Sequence, residues 1–271
     1  RGESGGIKSA RMGHDVVMTP GNYMYFDFYQ ADPKTQPYAI GGYTPIKKVY
    51  SYNPIPVDSL TAEESKHIMG VQANTWTDYI PNEQHLEYMM FPRALALAEI
   101  AWSPQEKREW NDFKPRMNAH ISKLQQMGIN TFTLSNELEV TMKVDTVSKQ
   151  IEVYLDAEKY PAEIRYTTDG TVPTASSTVY DGMIQVKDSA YIKAAIFSNG
   201  QLQGTPTEKK VDYHCAINKP IHYNSKLYPG YMAGGMNALL DGYRGGLTYL
   251  DGRWQGYLND LDCVIDMEEV T

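Results

Sequence analysis

The sequence has 271 residues, of which 42% are hydrophobic and 21% are charged, and its formal net charge is −8. This composition is that of a folded globular protein, and the length exceeds that of one small module. The negative charge argues against a nucleic-acid partner, because phosphates require a basic surface. No apolar run approaches the roughly 20 residues that span a bilayer.

Tyrosine is unusually frequent, with 21 residues against 6 phenylalanines. Tyrosine buries an apolar ring and keeps a hydrogen-bonding tip, which suits either a surface that binds polar ligands such as sugars or the strands of a β-rich extracellular protein. The two cysteines, Cys215 and Cys263, are compatible with one disulfide or with two free thiols. The six histidines are scattered, so we expect no metal and no organic cofactor.

Residues 1–130 alternate helix and strand patterns. A short helix is expected to end near Gly13, and DVVMTP and HIMGVQANTW are apolar runs that predict two strands. Residues 21–56 between them are irregular and rich in Tyr, Pro and Gly. Strand, loop, strand and helix in this order predict a parallel sheet. In such folds ligands lie at the carboxyl ends of the strands.

Helical periodicity follows the second strand. Apolar residues recur at three- and four-residue steps from Leu86 to Ile100, and Pro92 predicts that a second helix starts there. EWNDFKPRMNAHISKLQQMGI predicts a further helix that ends at Gly128.

For several polar and aromatic side chains of this helical part we predict structural roles. Arg93 and Glu99 are expected to form a buried pair on one helix, and Trp102 to lie in the core, as does Trp110. His85 and His14 are expected to be solvated or capping residues.

Residues 131–214 change to short strands of period two, with Asn199-Gly200 and Asp169-Gly170 turns, which predicts an antiparallel β-sandwich. Residues 215–271 contain Gly-rich turns and short apolar runs that indicate the start of another β-sandwich.

The stretch GVQANTWTDYIPNEQHLEYMMFPRALALAEIAWSP resembles the last strand and following helix of the catalytic barrel in β-N-acetylhexosaminidases of glycoside hydrolase family 20. DVVMTPGNYMYFDFYQ resembles the preceding barrel strand, and EIRYTTDGTVPTASSTVYDG the small β-sandwich that follows the barrel in many bacterial members. ALLDGYRGGLTY and WQGYL resemble the start of a discoidin-like sugar-binding module. The resemblance implies a multidomain chain: the C-terminal part of a (β/α)8 TIM barrel (1–130), an antiparallel β-sandwich (131–214) and the start of a discoidin-like β-sandwich (215–271).

The same resemblance implies four site residues. Tyr25 is the catalytic one, because its hydroxyl would donate to the acetamido oxygen of the substrate. Asp27, two residues later on the same face of a strand, would accept hydrogen bonds from sugar hydroxyls. Trp76 would form a wall of the acetamido pocket, and Asp78, where the family usually has Glu, would bind hydroxyls of the terminal sugar. The alternatives are a tyrosine packed under a loop, a turn or capping aspartate and a core tryptophan.

Family members use the 2-acetamido group of the substrate as the nucleophile, assisted by an adjacent Asp-Glu pair. That pair lies on an earlier barrel strand, and this sequence contains no Asp-Glu dipeptide. We therefore expect a fragment of an exo-acting hexosaminidase that alone has no measurable hydrolysis.

The expected partner is a glycan with a terminal N-acetylhexosamine, and export from the cytoplasm is expected for such an enzyme. The sequence does not fix the oligomeric state. Two alternatives remain open: a non-catalytic glycan-binding or adhesion protein with a barrel remnant, and a structural spacer.

Overall fold

The computed structural model describes residues 2–145, 150–243, 245 and 254–267. The chain divides into two compact units. The first comprises Arg1–Ser135 with Glu158–Pro161, and the second comprises Asn136–Ala157 with Ala162–Thr271. The division into three domains at residues 130 and 214 stays a prediction.

The first unit is built around a parallel strand pair. Strand β1 is Val16–Met18 and strand β2 is Ile68–Val71, and they pair in parallel from Val16 opposite Ile68 to Met18 opposite Val71. The predicted parallel arrangement is confirmed. The helices of this unit are α1 Ser4–Arg11, α2 Gly21–Met24, α3 Ile46–Tyr50, α4 Ala62–Ser65, α5 Glu83–Met90, α6 Arg93–Trp102 and α7 Trp110–Gln126.

Glycines stop two of these helices, as predicted. Gly13 follows α1 with φ of 79°, and Gly128 follows α7 with φ of 85°. The left-handed region is open to glycine because it has no Cβ, so the chain turns away at both points. Helix α6 begins immediately after Pro92, also as predicted.

The core of the first unit lies between the strands and helices α3, α6 and α7. Its buried side chains are Met18, Met24, Phe26, Ala31, Ile46, Val49, Tyr50, Tyr52, Ala96, Ile100, Phe113, Met117, Ile121, Phe132 and Leu134. Trp110 is partly buried against this cluster. The prediction for Trp102 is wrong: it ends α6 with 89% of its surface exposed.

The predicted Arg93–Glu99 pair is also wrong. Six positions apart on a helix of 3.6 residues per turn, the two side chains point about 120° apart. Glu99 instead accepts hydrogen bonds from Arg116 and from the hydroxyl of Tyr50. Arg93 lies on the other side, fully buried.

The second unit contains the predicted antiparallel sandwich. Strands β3, β4 and β7 form one sheet, and strands β6, β5, β8 and β9 form the other in that order. Inward side chains of both sheets form one core, which includes Ile151, Val153, Ile164 and Ile192. The strands are β3 Leu138–Asp145, β4 Gln150–Ala157, β5 Glu163–Thr167, β6 Thr178–Val179, β7 Ile184–Val186, β8 Ala190–Ser198 and β9 Gln201–Val211.

The Asn199-Gly200 turn joins β8 and β9, as predicted. Both residues have positive φ, 51° and 73°, which is the backbone of a tight hairpin turn that favours this dipeptide.

The rest of the second unit forms two small antiparallel pairs. Strands β10 Ile221–Tyr223 and β13 Cys263–Ile265 pair with each other, as do β11 Leu227–Met232 and β12 Gln255–Tyr257. Cys215 and Cys263 are both free thiols. The sequence stretch 238–249 that resembles a discoidin-like module falls partly at positions 244 and 246–249, outside the described residues.

Candidate functional site

The parallel pairing of the first unit resumes beyond β1 and β2. Met18 accepts a hydrogen bond from the backbone N–H of Gln72 at 3.0 Å, and Met24 accepts one from Asn74 at 2.8 Å. The short helix α2 is therefore an insertion within the first strand, opposite an almost continuous second strand. Tyr25 then forms a parallel bridge with Asn74. The insertion places Tyr25 at the carboxyl end of one strand, beside the carboxyl end of its neighbour.

The expectation that Tyr25 and Asp27 share one face of a strand is wrong. Tyr25 makes an isolated bridge and Asp27 lies in the turn that follows it, because α2 interrupts the strand. The Tyr25 ring instead packs edge-on against Trp76, with ring centroids 6.4 Å apart and planes at 66°. The bridge to Asn74 explains this contact, since Trp76 follows Asn74 by two residues.

Asp27 is 5% exposed and lines a narrow depression with almost no enclosed volume. Burial raises the pKa of its carboxyl group, as does the nearby charge of Asp78 to a smaller extent. Backbone N–H groups of Asp27 and Trp76 and the charge of Arg93 act in the opposite direction. Oδ1 of Asp27 is buried and has no hydrogen-bond partner among the described residues.

Trp76 and Asp78 line the same depression from the second strand. Trp76 precedes a 3-10 turn at Thr77–Tyr79 and keeps 54% of its surface exposed, and Asp78 is exposed within that turn. The prediction that these two residues face a mouth at a strand end therefore agrees with their placement. The structure brings three predicted residues to one depression, whereas Tyr25 contacts Trp76 and does not line the depression.

Two tyrosines form an aromatic rim along the depression, and neither was named among the predicted site residues. Tyr38 and Tyr79 are 71% and 43% exposed, and their rings pack edge-on with centroids 5.1 Å apart. Both residues line the depression. Tyr79 could have been predicted because it follows Asp78. Tyr38 opens the loop YAIGGYTPIKKVY, which contains no tryptophan, so this pocket wall was expected to come from a tyrosine or from elsewhere.

Arg93 holds the backbone around Asp27. Its guanidinium donates to the carbonyl oxygens of Phe28 and Thr44 at 3.0 and 3.1 Å, and also to those of Phe26 and Met89. The guanidinium carbon lies 4.9 Å from the centre of the Phe26 ring. Burial lowers the pKa of Arg93, and the charge of Asp27 raises it. Because two of the acceptors flank Asp27, Arg93 fixes the turn that presents this carboxylate.

His85 lines the depression from the first turn of α5, and the expectation that it is solvated or capping is wrong. The side chain of Asn82 caps the helix by accepting from the backbone N–H of His85 at 2.8 Å. The His85 ring is half-buried, and its Nε2 atom is buried without a partner in the described part of the chain.

Among the described residues, no group of three or more His, Cys, Asp or Glu side chains is placed to hold a metal ion. None of the described helices has the length and apolarity needed to cross a membrane.

Two parallel strands packed against helices, with a carboxylate and a tryptophan beyond the strand ends, are compatible with part of a TIM barrel. Residues 1–105 match the model of the catalytic domain of glycosyl hydrolase family 20, and residues 142–208 match the chitobiase/beta-hexosaminidase C-terminal domain. The chain therefore carries part of a family 20 glycoside hydrolase catalytic domain, followed by the sandwich domain that accompanies it.

Curated relatives agree with this family. A beta-hexosaminidase of Porphyromonas gingivalis is 36% identical over 202 residues, which are 74% of this chain and 26% of that protein. A beta-hexosaminidase of Akkermansia muciniphila is 33% identical over 116 residues, or 42% of this chain and 22% of that protein. The chain thus spans about a quarter of the length of these relatives.

Among solved structures, the chain is similar to the GH20 exo beta-N-acetylglucosaminidase of Vibrio harveyi in complex with N-acetylglucosamine. The sequence identity is 31%, the TM-score is 0.44, and the match covers 49% of this chain and 21% of that one.

Proposed function

We propose that this chain is the C-terminal part of an exo-β-N-acetylhexosaminidase that removes terminal β-linked N-acetylglucosamine or N-acetylgalactosamine from glycans with retention of configuration. The observation that carries the proposal is the meeting of Asp27, Trp76 and Asp78 in one depression at the carboxyl ends of two parallel strands. In barrel enzymes this end of the sheet holds the active site.

The side chains of the depression suit a sugar. Trp76 offers an exposed flat surface for the apolar face of a pyranose, and Asp27 offers a carboxylate oxygen with no partner among the described residues. Hydrogen bonds to an ionised acceptor are the stronger kind, so a sugar hydroxyl is well matched to Asp27. Asp78 would accept from a second hydroxyl at the exposed edge of the same depression.

The proposed reaction is substrate-assisted. The acetamido oxygen of the sugar attacks the anomeric carbon while the bond to the leaving oxygen breaks, and an acid from another strand donates a proton to that oxygen. Water then opens the cyclic intermediate. Tyr25 would hold the acetamido oxygen in line for attack, and Trp76, against which its ring packs, would exclude water from the reacting centre.

The acid and its aspartate partner would lie on an earlier strand, which agrees with the absence of an Asp-Glu dipeptide from this sequence. This chain supplies two adjacent parallel strands, whereas a TIM barrel has eight. We therefore place this chain in a longer polypeptide that completes the barrel.

The domain organisation and location form part of the same proposal. Residues 1–130 are the barrel part, 131–214 the sandwich and 215–271 the start of a discoidin-like sugar-binding module. The antiparallel pairs β10–β13 and β11–β12 support a β-rich third module. Export to the periplasm, cell surface or medium suits an enzyme that acts on large glycans.

The test is hydrolysis of 4-nitrophenyl N-acetyl-β-glucosaminide and of the galacto isomer by the polypeptide that contains the complete barrel. We expect release of the β-anomer of the sugar by that protein and no measurable release by residues 1–271 alone. Glycan binding without hydrolysis by the complete protein would instead favour a non-catalytic binding protein. Hydrolysis by this chain alone would contradict the need for a second catalytic strand.

A further inference from the structure

Two buried polar atoms without partners among the described residues line the depression together. One is Oδ1 of Asp27 and the other is Nε2 of His85. A buried polar group left without a hydrogen bond destabilises a protein, and native structures rarely retain such groups unless a ligand or water satisfies them. Both atoms therefore indicate a place where a polar ligand or a water molecule would bind.

Two contacts fix the position of the His85 ring. Asn82 fixes the first turn of α5 through the backbone N–H of His85, and the ring lies edge-on to Tyr88 with centroids 6.4 Å apart. Burial lowers the pKa of His85, so the ring is neutral at pH 7 and carries one N–H. A neutral imidazole can donate a hydrogen bond to an oxygen without bringing a charge into the depression.

The charge of the depression selects the class of partner. Asp27 and Asp78 both line it, so an anion is repelled. A metal ion finds no cluster of three or more ligands in the described part of the chain. A neutral hydroxyl group matches both atoms chemically, because it can donate a hydrogen bond to Oδ1 of Asp27 and accept one from an N–H at Nε2 of His85.

We infer that His85 is a specificity-determining residue of the site, which binds one hydroxyl of the terminal sugar jointly with Asp27. The inference rests on the proposed hexosaminidase function and extends its sugar-binding residues to helix α5. The hydroxyl is the one at C4 or at C6, because the acetamido side of the sugar faces Trp76 in the proposed binding mode.

The test compares three substrates with four variants of the polypeptide that contains the complete barrel. The substrates are 4-nitrophenyl N-acetyl-β-glucosaminide and its 4-deoxy and 6-deoxy analogues. The variants are His85→Phe, His85→Gln and His85→Asn, with His14→Phe as the matched control, since His14 is exposed and lies away from the depression.

We expect His85→Phe to lower kcat/KM about tenfold or more on the parent substrate. On one deoxy analogue, the wild type loses a similar factor and His85→Phe causes no further loss, because the shared hydrogen bond is already absent. His85→Gln retains part of the activity, since its amide reaches the position of Nε2, and His85→Asn does not. This difference between Gln and Asn tests the inference even where His85→Phe fails to fold.

The outcomes separate the two proposals. Equal losses on all three substrates, or equal activity of the Gln and Asn variants, would overturn the role of His85 while leaving the hexosaminidase function intact. A wild-type protein that hydrolyses none of the substrates would overturn both. His14→Phe is expected to match the wild type on every substrate.

Discussion

Replacing Arg93 by methionine tests whether one buried cation organises the site. The side chain is fully buried and donates to the carbonyl oxygens of Phe26, Phe28, Thr44 and Met89. Each hydrogen bond from a charged donor contributes about 1.5–3 kcal/mol, but desolvation of the guanidinium offsets much of the sum. Breaking a buried charged network by removing one partner lowers stability by about 3–5 kcal/mol. We expect Arg93→Met to lower the free energy of unfolding by that amount.

The functional effect follows from the position of the acceptors. The carbonyls of Phe26 and Phe28 flank Asp27 in sequence, so their release lets the carboxylate move within the depression. Arg93→Lys keeps the positive charge but lacks the planar guanidinium group, which donates hydrogen bonds to several carbonyl oxygens at once. We expect Arg93→Lys to fold with intermediate stability and with kcat/KM reduced at least tenfold, while Arg93→Met is less stable still.

Urea denaturation followed by tryptophan fluorescence, together with steady-state kinetics on the complete polypeptide, measures both effects. Arg11→Met is the matched control, because Arg11 is exposed and the hydrogen bond shown for it goes to the carbonyl of Ser59. Its loss should change stability by less than about 1 kcal/mol. If Arg93→Met unfolded within 1 kcal/mol of the wild type, or if Arg93→Lys had wild-type kinetics, the argument for Arg93 would be refuted.

Three further substitutions test the roles of predicted site residues. Trp76→Ala should lower kcat/KM about a hundredfold in the hydrolysis assay with little change in Tm, because half of Trp76 is exposed; a large fall in Tm would show a core role instead. Tyr25→Phe should reduce kcat about a hundredfold through loss of one positioned donor, and unchanged kcat would exclude that role. Burial raises the pKa of Asp27 above 3.8, so the folded state keeps the proton up to a higher pH than the unfolded state. The free energy of unfolding therefore falls as pH rises from about 3.8 through the pKa of the folded state. Asp27→Asn should therefore lose activity yet be more stable than the wild type at pH 7, and urea titrations should show the two converging near pH 4. If the difference in free energy of unfolding between Asp27→Asn and the wild type were the same at pH 7 and near pH 4, this interpretation would be wrong.

Local rules were sufficient for most elements of the fold. The apolar runs around Val16 and Ile68 predicted strands, Gly13 and Gly128 predicted helix ends, and Asn199-Gly200 predicted a hairpin, and all are observed. These signals act over a few residues through backbone sterics and side-chain burial. They need no knowledge of what lies across the structure.

Features that depend on distant contacts were not predictable. Helix α2 interrupts the first strand, and only the hydrogen bonds of Met18 and Met24 to the second strand show that the ladder continues. Arg93 was assigned a helical partner, yet its acceptors are backbone carbonyls that no pattern of residue types reveals. The residues of the site were recognised from their motif, whereas their geometry depended on the insertion.

The size of the depression supports the need for further strands. Pockets for small ligands enclose about 300–1,000 Å³, whereas this depression has almost no enclosed volume. The two strands also leave apolar side chains uncovered, since Val17 and Met69 are 50% and 65% exposed, although parallel sheets are normally buried on both faces. Both deficits disappear if additional strands close a barrel with β1 and β2, because the opposite strands would cover the inward face and close the second side of the pocket. On the proposed function, the depression is one wall of a sugar pocket, and the acid that completes the reaction would lie on the opposite wall.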